Sequence, residues 1–287
     1  MSDARILDRG YRRFEGERSG LVGAVRSVAW HTVRSILGLG RKGRHKVFPI
    51  IVLVVSFVPA VVFLALSVLI GDLLEGELRP EYWEFFGFAF VATVVFTALV
   101  APEAIVRDRR DGMFALYLST PLSRVSYLVA KVVAVLATMA LVVLGPPVLW
   151  LLGYTVQSQG PGGLLEWFGV AGRILLAGLV ICTVYTAVSL GVASLTDRRA
   201  FASIAVVFVM LGASIATNVL VEVAGLADGW RVLDPLGVAL EVAPRMFGDR
   251  GAEAAGVGTW LVALGCLGWT AFGVALLAGR YRKLAAV

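Results

Sequence analysis

Histidine and cysteine are almost missing from this 287-residue chain, at two each, and charged residues make up only 16%. Both histidines, His31 and His45, fall in one N-terminal basic segment and form no metal-spaced pair with Cys, Asp or Glu. Cys182 and Cys266 each sit alone in an apolar run, as small buried hydrophobes do, which argues against a disulfide or a shared metal. No Gly-x-Ser-x-Gly elbow or His-Glu-x-x-His helix occurs, so the common hydrolase and metalloprotease sites are excluded. Nor is there a Gly-x-x-x-x-Gly-Lys-Ser/Thr loop, and any ATP chemistry must come from another chain. The first 46 residues are polar and arginine-rich, so no secretory leader is expected, and neither end carries a lipidation box.

Apolar residues are abundant. They make up 59% of the chain, against roughly 45–50% in soluble domains, and the mean hydropathy is +0.85. The excess is gathered into runs, which marks an integral membrane protein with a single membrane domain. A hydrocarbon core about 30 Å thick needs roughly 20 helical residues. Six stretches meet that length, at about 47–70, 82–101, 127–152, 174–195, 201–224 and 257–279. Lipid offers no partners to open strands, and barrel-like alternation is missing, so the expected fold is all-α with six transmembrane helices.

Charge orients the bundle. The N-terminal segment, the second–third and fourth–fifth loops and the tail together carry twenty Lys and Arg, among them Arg124, Arg198, Arg199 and Arg280. The opposite loops carry four, Arg79, Arg231, Arg245 and Arg250, among many acids. The positive-inside rule therefore puts both termini in the cytoplasm. Arg173, near the outer end of the fourth span, is expected to snorkel to the interface beside Glu166. Mild polar groups dot the spans. Asn218 and Glu222 in the fifth are the candidates for lining a pathway, and buried ionisable pairs, usual in ion-driven transporters, are not evident.

Three segments outside the spans have character of their own. In 19–37, Val22, Val25, Ala29, Val33 and Ile36 recur at helical spacing opposite Ser27, His31 and Arg34. This predicts an amphipathic helix, either in the cytoplasmic interface with Trp30 at the headgroups or packed on the span ends. In 225–256, apolar residues are interspersed with charges, Pro235 and Pro244, which predicts short outer-leaflet helices broken at the prolines, as a lid or as a plain folded loop. Gly145-Pro146-Pro147 is expected to kink or end the third span.

The third segment is the polar island 102–131, PEAIVRDRRDGMFALYLSTPLSRVSYLVAK. Glu103 reads as the start of a new helix, Arg107 to Asp111 as a mixed cluster facing water, Gly112 as a break, and Phe114, Leu116, Tyr117 and Leu118 as an apolar stripe. Ser119 to Arg124 turns the chain, and Lys131 opens the third span.

This layout resembles the permeases of ABC-2 type transporters. In that family the first cytoplasmic loop runs acid-Arg-x-x-Gly-Thr-x-x-x-Leu-x-Ser-Thr-Pro-Leu-Ser-Arg, followed by Gly-Lys. Here Asp108, Arg109, Gly112, Leu118 through Arg124 and Lys131 fall on the pattern, while Met113, Ala115 and Ala130 depart from it. The resemblance covers nearly the whole chain, with 1–46 as a cytoplasmic segment carrying the interfacial helix and 47–287 as the six-span domain. It implies a permease of a bacterial ABC exporter in the cytoplasmic membrane, paired with a second permease copy (homodimer or heterodimer) and two ATP-binding subunits that hold the ATP and Mg. The cargo would be amphipathic or hydrophobic. Membrane lipid is a partner, and nucleic acid is not. The coupling loop that docks on the ATPase would comprise Arg107, Asp108, Arg109, Arg110, Gly112, Phe114, Leu116, Tyr117, Pro121 and Arg124. A self-sufficient channel or secondary transporter is the alternative, and a membrane-embedded enzyme or scaffold is the second.

Overall fold

A computed structural model of the chain describes residues 20–70, 79–113, 122–249 and 256–283. These residues are helical, with no strand among them. In chain order the helices are α1 (Gly20–Ile36), α2 (Arg44–Leu69), α3 (Glu84–Phe88), α4 (Phe90–Arg110), α5 (Arg124–Val156), α6 (Leu164–Ala193), α7 (Arg199–Asn218), α8 (Pro235–Leu240), α9 (Val242–Met246) and α10 (Thr259–Lys283). A π-helical turn at Val219–Val223 extends α7, and a 3-10 turn at Asp228–Leu233 precedes α8.

Six helical segments are long and apolar enough to cross a bilayer: Lys46–Leu69, Phe90–Arg110, Arg124–Val156, Leu164–Ala193, Arg199–Val223 and Thr259–Arg282. They are the six spans expected from the sequence, with shifted ends. The second differs most. Its helix starts afresh at Phe90 after the short α3, and runs through Pro102 to Arg110 instead of stopping at Ala101. Proline cannot donate to the carbonyl four residues back, but in a packed membrane helix that single loss does not end the helix. For the same reason α5 runs through Pro146 and Pro147 and continues to Val156.

The spans differ in burial, with α5 intermediate at 44%. In their most apolar stretches α4 is 72% and α6 is 67% buried, whereas α2, α7 and α10 are each 22% buried. The bundle is thus built around α4 and α6, and the outer helices turn long apolar faces away from it. Glycine brings the helices close, as is usual where lipid provides no hydrophobic drive between them. A Cβ on Gly191 of α6 would lie 2.5 Å from the carbonyl oxygen of Gly273 on α10, so the two backbones touch there. Phe57 and Leu64 of α2 fill the space over Gly145 and Gly153 of α5 in the same way.

The helix expected in 19–37 forms as α1, but it buries Val28, Thr32 and Ile36, while Val22 and Trp30 are exposed. The buried stripe is rotated from the one the apolar spacing suggested because Thr32 faces inward, where its hydroxyl accepts a hydrogen bond from Lys131 of α5. The segment after the fifth span forms short helices, one opened by Pro235 as expected, but Pro244 lies inside α9 and does not break it. Asp234 caps α8 by accepting from the Leu236 amide at 2.9 Å, and Pro235 opens it. Leu236, Val238, Ala239 and Ala243 are buried. Tyr185 of α6 donates to the Leu236 carbonyl and Trp269 of α10 to that of Val232, so the segment packs into the bundle. Arg173 does not meet Glu166, seven residues and about 10 Å of helix away. It sits over the Phe247 ring, while Glu166 accepts from the Gly162 amide.

Candidate functional site at the arginine-rich end

The polar island begins as the last two turns of α4, whose charges mostly turn inward. Glu103, expected at the start of a new helix in water, is in mid-helix and 6% exposed. One of its oxygens accepts from Arg41 of the α1–α2 linker at 2.8 Å and from Arg107 at 3.0 Å, and the other pairs with Arg199 of α7 at 2.8 Å. Ser35 of α1 also donates to Glu103 and accepts from Arg107 and Arg41. One buried carboxylate therefore joins α1, the linker, α4 and α7.

Asp108 and Arg109 extend this knot. Asp108 accepts from the buried ammonium of Lys131 at 2.6 Å and from the Tyr127 hydroxyl at 3.0 Å, both on α5. Lys131 therefore lies in the packed interior and does not open a span at the interface, because Asp108, Thr32 and the Tyr127 ring surround its head. Arg109 donates to the carbonyls of Ser194 at 2.7 Å and Thr196 at 2.6 Å and pairs with Asp197 at 3.4 Å. It caps the C-terminus of α6, where unpaired carbonyls and the helix dipole favour a cation. Asp197 also pairs with Arg280 at 3.6 Å, which brings in α10.

The expectation of a water-facing cluster holds for Arg110, which is exposed and, among the described residues, pairs with its neighbour Asp111. It fails for Arg109 and partly for Arg107, because burying them satisfies carbonyls and a carboxylate that would otherwise be unpaired. Asp111 then ends α4, and Gly112 follows at φ +67°, a left-handed position that favours glycine after a helix C-terminus. The predicted contact residues Phe114, Leu116, Tyr117 and Pro121 lie outside the described residues. The chain is described again from Leu122. Ser123 caps α5 by accepting from the Ser126 amide, and Arg124 is exposed on the first turn.

Sequence reasoning missed Arg41, Ser35, Thr32, Arg199, Asp197 and Arg280 as partners of this end. One local signal was available: Glu103, Arg107 and Asp111 are spaced i, i+4, i+8 with alternating sign, the mark of one continuous helix face.

The pathway candidates lie at the other end. Arg231 donates to Asn218 at 3.3 Å and Glu222 at 3.4 Å and pairs with Asp228 at 3.6 Å. Arg231 thus brings Asn218 and Glu222 together, and Asn218 and Arg231 line a cleft with Thr217, Asp234 and Glu241. Among the described residues no group of three or more His, Cys, Asp or Glu is placed to hold a metal ion.

The family profile of ABC-2 family transporter proteins matches residues 34–276, most of the chain and most of this network, with Thr32 of α1 and Arg280 of α10 just outside it. The chain belongs to the ABC-2 family of transporter proteins. Members are membrane subunits that work with ATP-binding subunits and are not ATPases themselves, so this chain is an ABC permease. A search of curated proteins returns no match.

Proposed function

We propose that this permease is the transmembrane subunit of an ATP-driven exporter in the bacterial cytoplasmic membrane, with both termini in the cytoplasm. The segment after Arg110 is its contact with a separate ATPase. The observation that carries this reading is the base of that segment. Within seven residues of α4, Glu103, Asp108 and Arg109 attach the segment's root to α1, the α1–α2 linker, α5, α6 and α7.

Such a root suits force transmission. An ATPase can shift the balance between inward and outward states only through a contact that differs between them. A segment mounted on one free helix would move alone. Here a displacement at Arg110 to Arg124 moves the ends of most spans together, since each tie is a charge-assisted hydrogen bond or ion pair. Arg110, Phe114, Leu116, Tyr117 and Pro121 make the contact with the ATPase. Arg107, Asp108, Arg109 and Gly112 hold it in place, and Arg124 starts the return helix. ATP and Mg are bound by two ATP-binding subunits, and a second permease copy completes the assembly. The cargo is amphipathic or hydrophobic, and Asn218 and Glu222 border its outward path.

The test is to copurify the permease with its ATPase after changing Arg110→Glu and Phe114→Ala together. Loss of the complex, or of permease-dependent ATP hydrolysis, is expected. Intact assembly with unchanged hydrolysis would remove the contact from this segment.

A further inference from the structure

The ion pairs around Glu103 leave space beside them. A cavity of about 260 Å³ is walled by Arg41, Arg107 and Arg199, with Arg110 and Asp111 at its mouth. A second chamber of about 210 Å³ shares Arg41 and Arg199 as walls and continues between α2 and α4 against Phe48, Phe96 and Leu99. Together they reach the lower part of the ~300–1,000 Å³ range of small-ligand sites.

The charges in this space do not balance. Among the described residues four guanidinium groups face two carboxylates, Glu103 and Asp111, which leaves two positive charges in excess. Three of the arginines share one carboxylate. Arg199 reaches only its second oxygen, so the planar forks of these side chains keep donors to offer. A site closed only for internal pairing would have no cavity at the arginines. The first chamber sits at the end of two membrane-spanning helices, and the second has Ser35, Arg41, Glu103 and Arg199 on one side and an apolar side bounded by Phe48, which is exposed on α2. A compact anion at the arginines with an apolar chain running from it fits both chambers.

We propose that this paired cavity binds the phosphate-bearing headgroup of an anionic phospholipid, with the phosphate between Arg41, Arg107 and Arg199 and the start of an acyl chain against Phe48, Phe96 and Leu99. Arginine forks match phosphate oxygens in geometry and charge. The lipid would stabilise the same knot of α2, α4 and α7 that roots the coupling segment. The site does not depend on the ATPase contact, because lipid binding is measured on the permease alone.

The experiment uses the full-length permease purified without an ATPase and titrated with phosphatidylglycerol, phosphatidylcholine or inorganic phosphate, bound ligand being counted by native mass spectrometry. Phosphatidylglycerol is expected to bind tighter than either of the others. Arg199→Gln should weaken it about fivefold, the effect of one basic residue at an anionic lipid surface. Leu99→Trp, which fills the apolar side of the second chamber and keeps every charge, should weaken phosphatidylglycerol and leave inorganic phosphate unchanged. Arg282→Gln, an exposed charge at the same end, should leave both as they are. The assignment is overturned if inorganic phosphate binds as tightly as the lipid, if phosphatidylcholine does, if Leu99→Trp has no effect, or if Arg282→Gln costs as much as Arg199→Gln.

Discussion

Charged residues do different work at the two ends of this bundle. At the arginine-rich end they join elements far apart in sequence: Arg41 to Glu103, Arg199 to Glu103, Lys131 to Thr32, Arg109 to Ser194 and Arg280 to Asp197. At the opposite end, among the described residues, Arg231 pairs with Glu222 and Asp228, and Arg245 with Glu241 one turn away, all close in sequence. There the short helices are held on the bundle mainly by apolar burial and by hydrogen bonds such as Tyr185 to Leu236. Among the described residues, long-range charge pairs brace the first end, and the pairs shown at the other are local. The proposed coupling, driven from one side and opening on the other, would use that asymmetry.

The largest effect should come from removing a buried carboxylate at each end. Glu103→Gln leaves Arg41, Arg107 and Arg199 without their shared partner, and should cost about 3–5 kcal/mol in thermal or denaturant unfolding. Glu241→Gln removes one partner of a similarly buried pair and should cost stability too. Only the first should also abolish the response of the ATPase to the permease, and a matching loss in Glu241→Gln would break the comparison.

Next is Asp108→Asn, which takes the carboxylate from the buried Lys131 ammonium and should cost about 3 kcal/mol. Adding Lys131→Met removes the buried charge, and should recover more than half of that loss in a double-mutant cycle. Arg109→Lys keeps the charge but gives up the fork that reaches Ser194 and Thr196 together, for about 1–3 kcal/mol. Smallest is Arg231→Gln. Its partners Glu222 and Asp228 are 64% and 53% exposed, so unfolding should shift by about 1 kcal/mol or less.

The spans and the presence of short helices after the fifth were legible because each rests on local information: run length, and prolines set among interspersed apolar residues. The end of the second span was not. Pro102-Glu103 has the composition of a helix start, and only packing shows the helix passing through it. Glu103 looked solvated because its partners Arg41 and Arg199 lie 62 and 96 positions away in sequence, beyond the reach of any periodicity. For the same reason Lys131 could be placed on the family pattern by sequence, but its pairing with Asp108 and Thr32 could not be read there. Asn218 and Glu222 were chosen only for polarity within a span, and that they meet through Arg231 depends on the 3-10 turn that follows them.

The account stands on whether movement at the segment after Arg110 reaches the far end through Glu103. A spin label at Leu226→Cys, partly exposed at the opposite end, would report this; the native Cys182 and Cys266 are buried and should resist labelling. In the complex with the ATPase, ATP trapping should change the label-to-label distance across the two permease copies. In Glu103→Gln the ATPase should still bind and hydrolyse ATP at its basal rate, without the permease-dependent response, while the distance no longer changes. An unaltered distance change in Glu103→Gln would contradict the account.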